Sequence, residues 1–164
     1  MSLKLRQMSI YVLLLLAAAG SAVWAYPRLR PGPVALHQAE QLLAGGEIGA
    51  VLPLLREAGQ DRGLAPPERL RVAALLRDAG DFAGAENLYR GLLRTGVGAE
   101  ARFRLAETLA WTGHFQESGE LCAEMLDRDP KDRRARLLLA RVLSWDGRME
   151  ESIGQYRMLL GETP

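Results

Sequence analysis

Four glycines, Gly46, Gly80, Gly113 and Gly147, stand 34, 33 and 34 residues apart. Each follows an apolar stretch of helical character and precedes another. A period of this length constrains the chain more than any local propensity, because it implies one supersecondary unit used repeatedly. Aligned on the glycines, the flanking residues fall into columns. Seven positions before stand Ala39, Ala73, Ala106 and Ala140, and four before stand Leu42, Leu76, Leu109 and Leu143. Two after stand Ile48, Phe82, Phe115 and Met149, and five after stand Val51, Ala85, Ser118 and Ser152. Nine after stand Leu55, Tyr89, Cys122 and Tyr156, and twelve after stand Ala58, Leu92, Met125 and Leu159. Spacings of three and four within each arm put these residues on one helix face. Each unit therefore reads as helix, glycine turn, helix, with small residues where the helices approach and large ones between them.

Signals at the helix ends agree with this frame. Pro66 and Pro67 suit a first helical turn, and Glu68 adds negative charge near that helix start. Asp132 reads as an N-cap. In the first unit, Pro53 interrupts the second helix and Gly59 ends it early.

Period and columns resemble the tetratricopeptide repeat, a helix–turn–helix unit of 34 residues. The segments carrying the likeness are LRDAGDFAGA (76–85), LAWTGHFQES (109–118) and LSWDGRMEES (143–152), with Pro130 and Pro164 seventeen residues beyond their glycines. The resemblance implies an all-α solenoid of three clear units, about 66–97, 99–130 and 133–164, after one degenerate unit at about 33–59. It also implies a right-handed superhelix whose first helices line a concave surface.

Upstream, Lys4 and Arg6 precede a stretch from Met8 to Tyr26 without a charge. Nineteen residues at 1.5 Å each reach about 28 Å, close to the thickness of a hydrocarbon core. Residues 1–26 thus read as a transmembrane signal-anchor, or as a signal peptide cut after Val23-Trp24-Ala25 and before Tyr26. Residues 27–33, with three prolines, read as a stiff spacer, and 34–164 as the repeat domain. Both readings place the repeats across the membrane. The ratio of 19 arginines to 2 lysines suits a high-GC bacterium, and the far side is then the periplasm.

The chemistry of the body is bland. Without residues 1–26, it carries 19 basic against 20 acidic groups, unlike a nucleic-acid binder. Cys122, the only cysteine, reads as a buried hydrophobe, and His37 and His114 have no company for a metal site. No nucleophile, Walker or zinc-protease motif occurs, so a non-enzymatic protein without cofactor is expected.

Trp111 and Trp145 each stand two residues before a turn glycine. They can pack between units as core, or floor a groove with Leu70, Phe103, Glu107, Leu137 and Arg141. The last helix, about 148–160, leaves Met158 and Leu160 as an apolar C-terminal edge. The expected partner is therefore a protein, or a second copy, held by the groove and that edge, with the membrane bound through residues 8–26. The W-x-G turns are similar to those in repeat domains of exopolysaccharide and biofilm export machinery. The resemblance implies an envelope scaffold; a chaperone-like binder of exported unfolded chains, as in cytochrome c maturation or at the secretion translocon, is the alternative.

Overall fold

The four turn glycines adopt φ between +80° and +85°, a conformation that costs any residue with a Cβ. Each closes the preceding helix in the same way. The glycine N–H bonds three residues back, to Leu43, Arg77, Ala110 and Ser144. The next N–H bonds five residues back, to the carbonyls of Leu42, Leu76, Leu109 and Leu143, at 2.8–2.9 Å. This is a Schellman closure, and it explains why the glycine and the leucine column recur together. Gly113→Ala should cost about 1–2 kcal/mol, read as a lower denaturation midpoint, because only the backbone conformation stands against the new methyl.

A computed structural model describes residues 30–161. The expected anchor or signal segment, 1–26, lies outside them. Among the described residues no helix is long and apolar enough to cross a membrane. The described residues are helical, without strands, and divide between two units, one ending at Gly63 and one beginning at Leu64.

In the first unit, α1 spans Pro31–Ala44 and α2 spans Val51–Gln60, preceded by a 3-10 turn over Ile48–Ala50. The proline-rich segment is thus partly helical: Pro31 and Pro33 occupy the first turn of α1, where a missing N–H costs nothing. Pro53 does not break α2. It is the third residue of that helix, among the N–H groups that would have no intrahelical partner, and α2 runs on through Gly59 to Gln60. Asp61 binds the two ends of this unit together, accepting from Gly32 N–H at 3.0 Å and Gly63 N–H at 2.7 Å.

The second unit holds three helix pairs: α3 (Pro66–Asp78) with α4 (Phe82–Leu92), α5 (Gly98–Trp111) with α6 (Phe115–Arg128), and α7 (Arg133–Trp145) with α8 (Met149–Leu160). Within this unit each helix packs on its neighbours in sequence, and successive first helices also touch, α3 with α5 and α5 with α7. Starts follow the sequence signals. Ala65 N–H donates to Glu68 at 2.9 Å, and Asp132 accepts from the N–H groups of Arg134 and Ala135. Asp81 caps α4 by accepting from Gly84 N–H.

The small columns form the seam inside each pair. Ala73, Ala106 and Ala140 are fully buried, facing Ala85, Ser118 and Ser152. Two of these contacts carry a hydrogen bond: Ser118 Oγ donates to the Ala106 carbonyl at 2.8 Å, and Ser152 Oγ to the Ala140 carbonyl at 2.7 Å. Between pairs, Cys122 and Met125 pack with Ala135, Leu138 and Val142, flanked by Phe115, Leu121, Leu126 and Leu139.

Tyr89 fills the Cys122 position of the preceding pair and is fully buried. Its hydroxyl has no hydrogen-bond partner among the described residues. Burial pushes its pKa up to about 12, against the pull of the Arg77 and Arg104 charges. An unpaired buried hydroxyl costs more than it returns. Tyr89→Phe should therefore leave the melting temperature unchanged or raise it by a few degrees, read by thermal circular dichroism.

Candidate protein-binding surface

The exposed face of the first helices carries charge pairs that link successive units. Glu107 on α5 accepts from Arg104 Nη1 at 3.0 Å and from Arg77 Nη1 of α3 at 3.5 Å. Arg77 also pairs with Asp78 at 2.9 Å. Beside this network stands Trp111, 72% exposed. Trp111, Phe82, Arg77, Asp78, Arg104 and Glu107 enclose a cavity of about 430 Å³. Its lining combines an indole and a phenyl ring with paired charges. Such a site takes an apolar or aromatic side chain with a polar flank.

Trp145 is less open, at 45% exposure. Arg141 lies over its ring at 4.9 Å, and the Phe115 ring is 6.3 Å away, tilted by 41°. Each tryptophan thus stands near the aromatic residue that follows the preceding turn, Phe82 for Trp111 and Phe115 for Trp145. Of the two sequence alternatives, core or surface, both tryptophans are on the surface.

The remaining candidates do not join these two. Phe103 is half-buried beneath Arg134, whose guanidinium lies 4.1 Å from the ring centroid and also pairs with Glu100 at 3.3 Å. Burial of Glu100 works to raise its carboxyl pKa, but the hydrogen bond and charge of Arg134, with Arg104 beside it, hold it below the ordinary 4.5. Phe103 therefore belongs to a separate cavity with Ala99, Glu100 and Arg128. Leu137 lines a third cavity with Arg133, Arg134, Tyr156, Leu159 and Leu160. Leu70 is half-buried on α3 and lines none of these three. At the C-terminal edge both Met158 and Leu160 are exposed, and the Met158 sulfur accepts from Arg136 Nη1 at 3.1 Å.

Sequence reasoning missed Phe82, Arg77 and Arg104 as partners of Trp111. Phe82 had a signal, being one repeat back from Phe115 in the column after the turn. The arginines had none, because charged residues on a helix face are ordinarily solvated.

Cys122 is buried, and burial, with a smaller contribution from Asp132, pushes its thiol pKa up to about 12. No group of three His, Cys, Asp or Glu residues suited to a metal ion occurs among the described residues.

Residues 76–141 match a family model described as tetratricopeptide repeat. No curated protein matches the chain by sequence. Among solved structures, MamA (residues 41 to the end) from Desulfovibrio magneticus RS-1 superposes with a TM-score of 0.62 at 18% identity, over 79% of this chain and 74% of that one. Nearly identical TPR-like repeats from Podospora anserina superpose at 0.67 and 16% identity, over 96% and 87%. A tetratricopeptide repeat protein from Parabacteroides merdae does so at 0.67 and 18%, over 95% and 63%. Identities this low speak for the fold alone.

Proposed function

Because residues 76–141 match the tetratricopeptide-repeat model and the fold is shared with repeat proteins, we propose that the chain is a non-enzymatic scaffold whose first helices bind a segment of another protein, anchored at Trp111. One observation carries this reading: a large indole left 72% exposed beside Phe82 and a bridged set of charges. Exposed tryptophans flanked by arginine are the residue types that dominate binding energy at protein interfaces. The charges of Arg77, Arg104 and Glu107 are already paired, so they shape the rim while the rings supply the anchor.

The setting of this scaffold is the bacterial envelope. The uncharged run from Met8 to Tyr26, behind Lys4 and Arg6, supports repeats held in the periplasm, by an anchor or after cleavage before Tyr26. The W-x-G turns favour a place in an envelope assembly or export machine. A reporter active only in the cytoplasm, fused after Pro164, should be silent; an active reporter would end the envelope reading.

Trp111→Ala tests the binding role. In pull-downs from the native host with full-length tagged protein, the variant should recover the specific partner at least about tenfold less than wild type, the loss typical of a hot-spot residue. Trp145→Ala should lose less, because Arg141 and Phe115 already occupy part of its ring. Equal recovery by Trp111→Ala would remove the anchor.

A further inference from the structure

The third and fourth pairs share one register, so the packing of α7 on α6 shows what the outer face of α8 is built to receive. Moving forward by 34 residues, Ile153 takes the place of Gly119, Tyr156 of Cys122, Leu159 of Met125 and Leu160 of Leu126. On α6 those positions lie under α7: Cys122 is fully buried, and a methyl at Gly119 would sit 3.9 Å from Leu139 and Val142. On α8 the corresponding residues are open, with Tyr156 at 37%, Ile153 at 50% and Leu160 at 77% exposure. Tyr156, Leu159 and Leu160 border, with Leu137, a cavity of about 410 Å³ that Arg133 and Arg134 also line.

We propose that this face binds an amphipathic helix of a partner protein that carries a carboxylate in its first turn. The charge follows from the junction one repeat earlier. There the incoming helix α7 places Arg134 against Glu100 and over Phe103. One register later Arg134 stands in the place of Glu100 and Leu137 in the place of Phe103, so the incoming first turn meets a cation in place of an anion. Arg133 beside it donates to the Leu159 carbonyl at 3.0 Å and has no carboxylate partner among the described residues. Size follows in the same way. With Ile for Gly and Tyr for Cys, the incoming helix needs smaller residues than Leu139 and Val142 where it crosses α8.

These two requirements also count against the first helices of a second copy. α7 would bring Arg134 onto Arg134, and α1 has no acidic residue in its first turn. α3 and α5 start with Glu68 and Glu100, but in the same register they bring Leu75 and Leu105 where residues smaller than Val142 and Leu139 are needed. A second copy is therefore a poorer occupant than a partner with an acidic helix start. This inference does not depend on the Trp111 anchor, since the two sites share no residue.

The test uses the full-length protein and two synthetic amphipathic helices of about 16 residues, long enough to hold helical structure. Both carry alanine at the crossing positions; one has glutamates in its first turn and its twin has lysines. Fluorescence anisotropy should show the glutamate peptide binding at least about tenfold more tightly than the lysine twin, a difference that shrinks in high salt. Arg133→Glu should reverse that order, and Leu160→Glu should weaken both peptides, with circular dichroism unchanged because both residues are exposed. Equal affinity of the two peptides, binding of neither, or an unchanged order with Arg133→Glu would overturn the proposal. So would concentration-dependent self-association abolished by Leu160→Glu, which would give the face to a second copy.

Discussion

Ala140→Leu should lower the stability of the repeats by about 1–3 kcal/mol, and Ala106→Leu by a similar amount. Both alanines are fully buried where the two helices of a pair touch, and each offers its carbonyl to a serine hydroxyl across the seam, at 2.7 Å for Ala140 and 2.8 Å for Ala106. Three additional carbons at such a site must push α7 from α8, or α5 from α6. The helices then lose both the close contact and the Ser152 or Ser118 bond. Urea titration followed by circular dichroism measures the cost. As a control, Glu150→Ala, exposed on α8, should stay within about 0.5 kcal/mol of wild type. A pair of unaltered midpoints would mean that the alanine column is not the helix seam.

The second large effect is expected at Gly98, the first residue of α5. A methyl there would lie 2.3 Å from the Leu93 carbonyl oxygen and 2.9 Å from its carbon. Both obstacles are backbone, so no side chain can rotate aside. The chain between α4 and α5 would have to shift, and with it Gly98 N–H, which bonds the Thr95 carbonyl at 2.9 Å. Gly98→Ala should cost about 3 kcal/mol, the upper end of what overpacking exacts, despite alanine's better helix propensity. Gly96, with nothing near its missing Cβ, provides the matched control: Gly96→Ala should be mild. A mild Gly98→Ala would contradict the path of this connection.

The repeat was legible because its signals are local and periodic. A glycine with positive φ, the leucine whose carbonyl it helps satisfy, and the alanine seam each recur at fixed spacing, so the columns locate the buried seam, although the column two after the glycine is open at Phe82 and Met149. Tyr156 shows where the column argument reaches its limit. It shares a column with the fully buried Leu55, Tyr89 and Cys122, but burial there needs a following helix, and among the described residues none lies on α8. Pro53 shows a second limit. Whether a proline breaks a helix or begins one depends on the register of the start, and the 3-10 turn that delays α2 has no strong sequence signal.

The surface was less legible than the core. Seven residues selected for lying on the first helices separate into different environments. Trp111 and Glu107 share one cavity, Phe103 is covered by Arg134, Arg141 rests on Trp145, and Leu137 faces the C-terminal edge. Column position places a residue on a face, but the long arginine side chains decide which parts of that face stay open. Those side chains reach across units, from Arg77 to Glu107 and from Arg134 to Glu100, at separations of 30 and 34 residues. No periodicity of apolar residues reports such pairs.

A partner protein bound on the face bearing Trp111 would lie within reach of a probe placed at that position. Site-specific photo-crosslinking in the native host reads this contact. A photoreactive phenylalanine analogue replaces Trp111 in one full-length variant and Ala123, exposed on the second helix of the same pair, in another. A discrete adduct is expected from position 111 and none from position 123. Adducts of equal yield from both positions, or an adduct from position 123 alone, would contradict binding on that face.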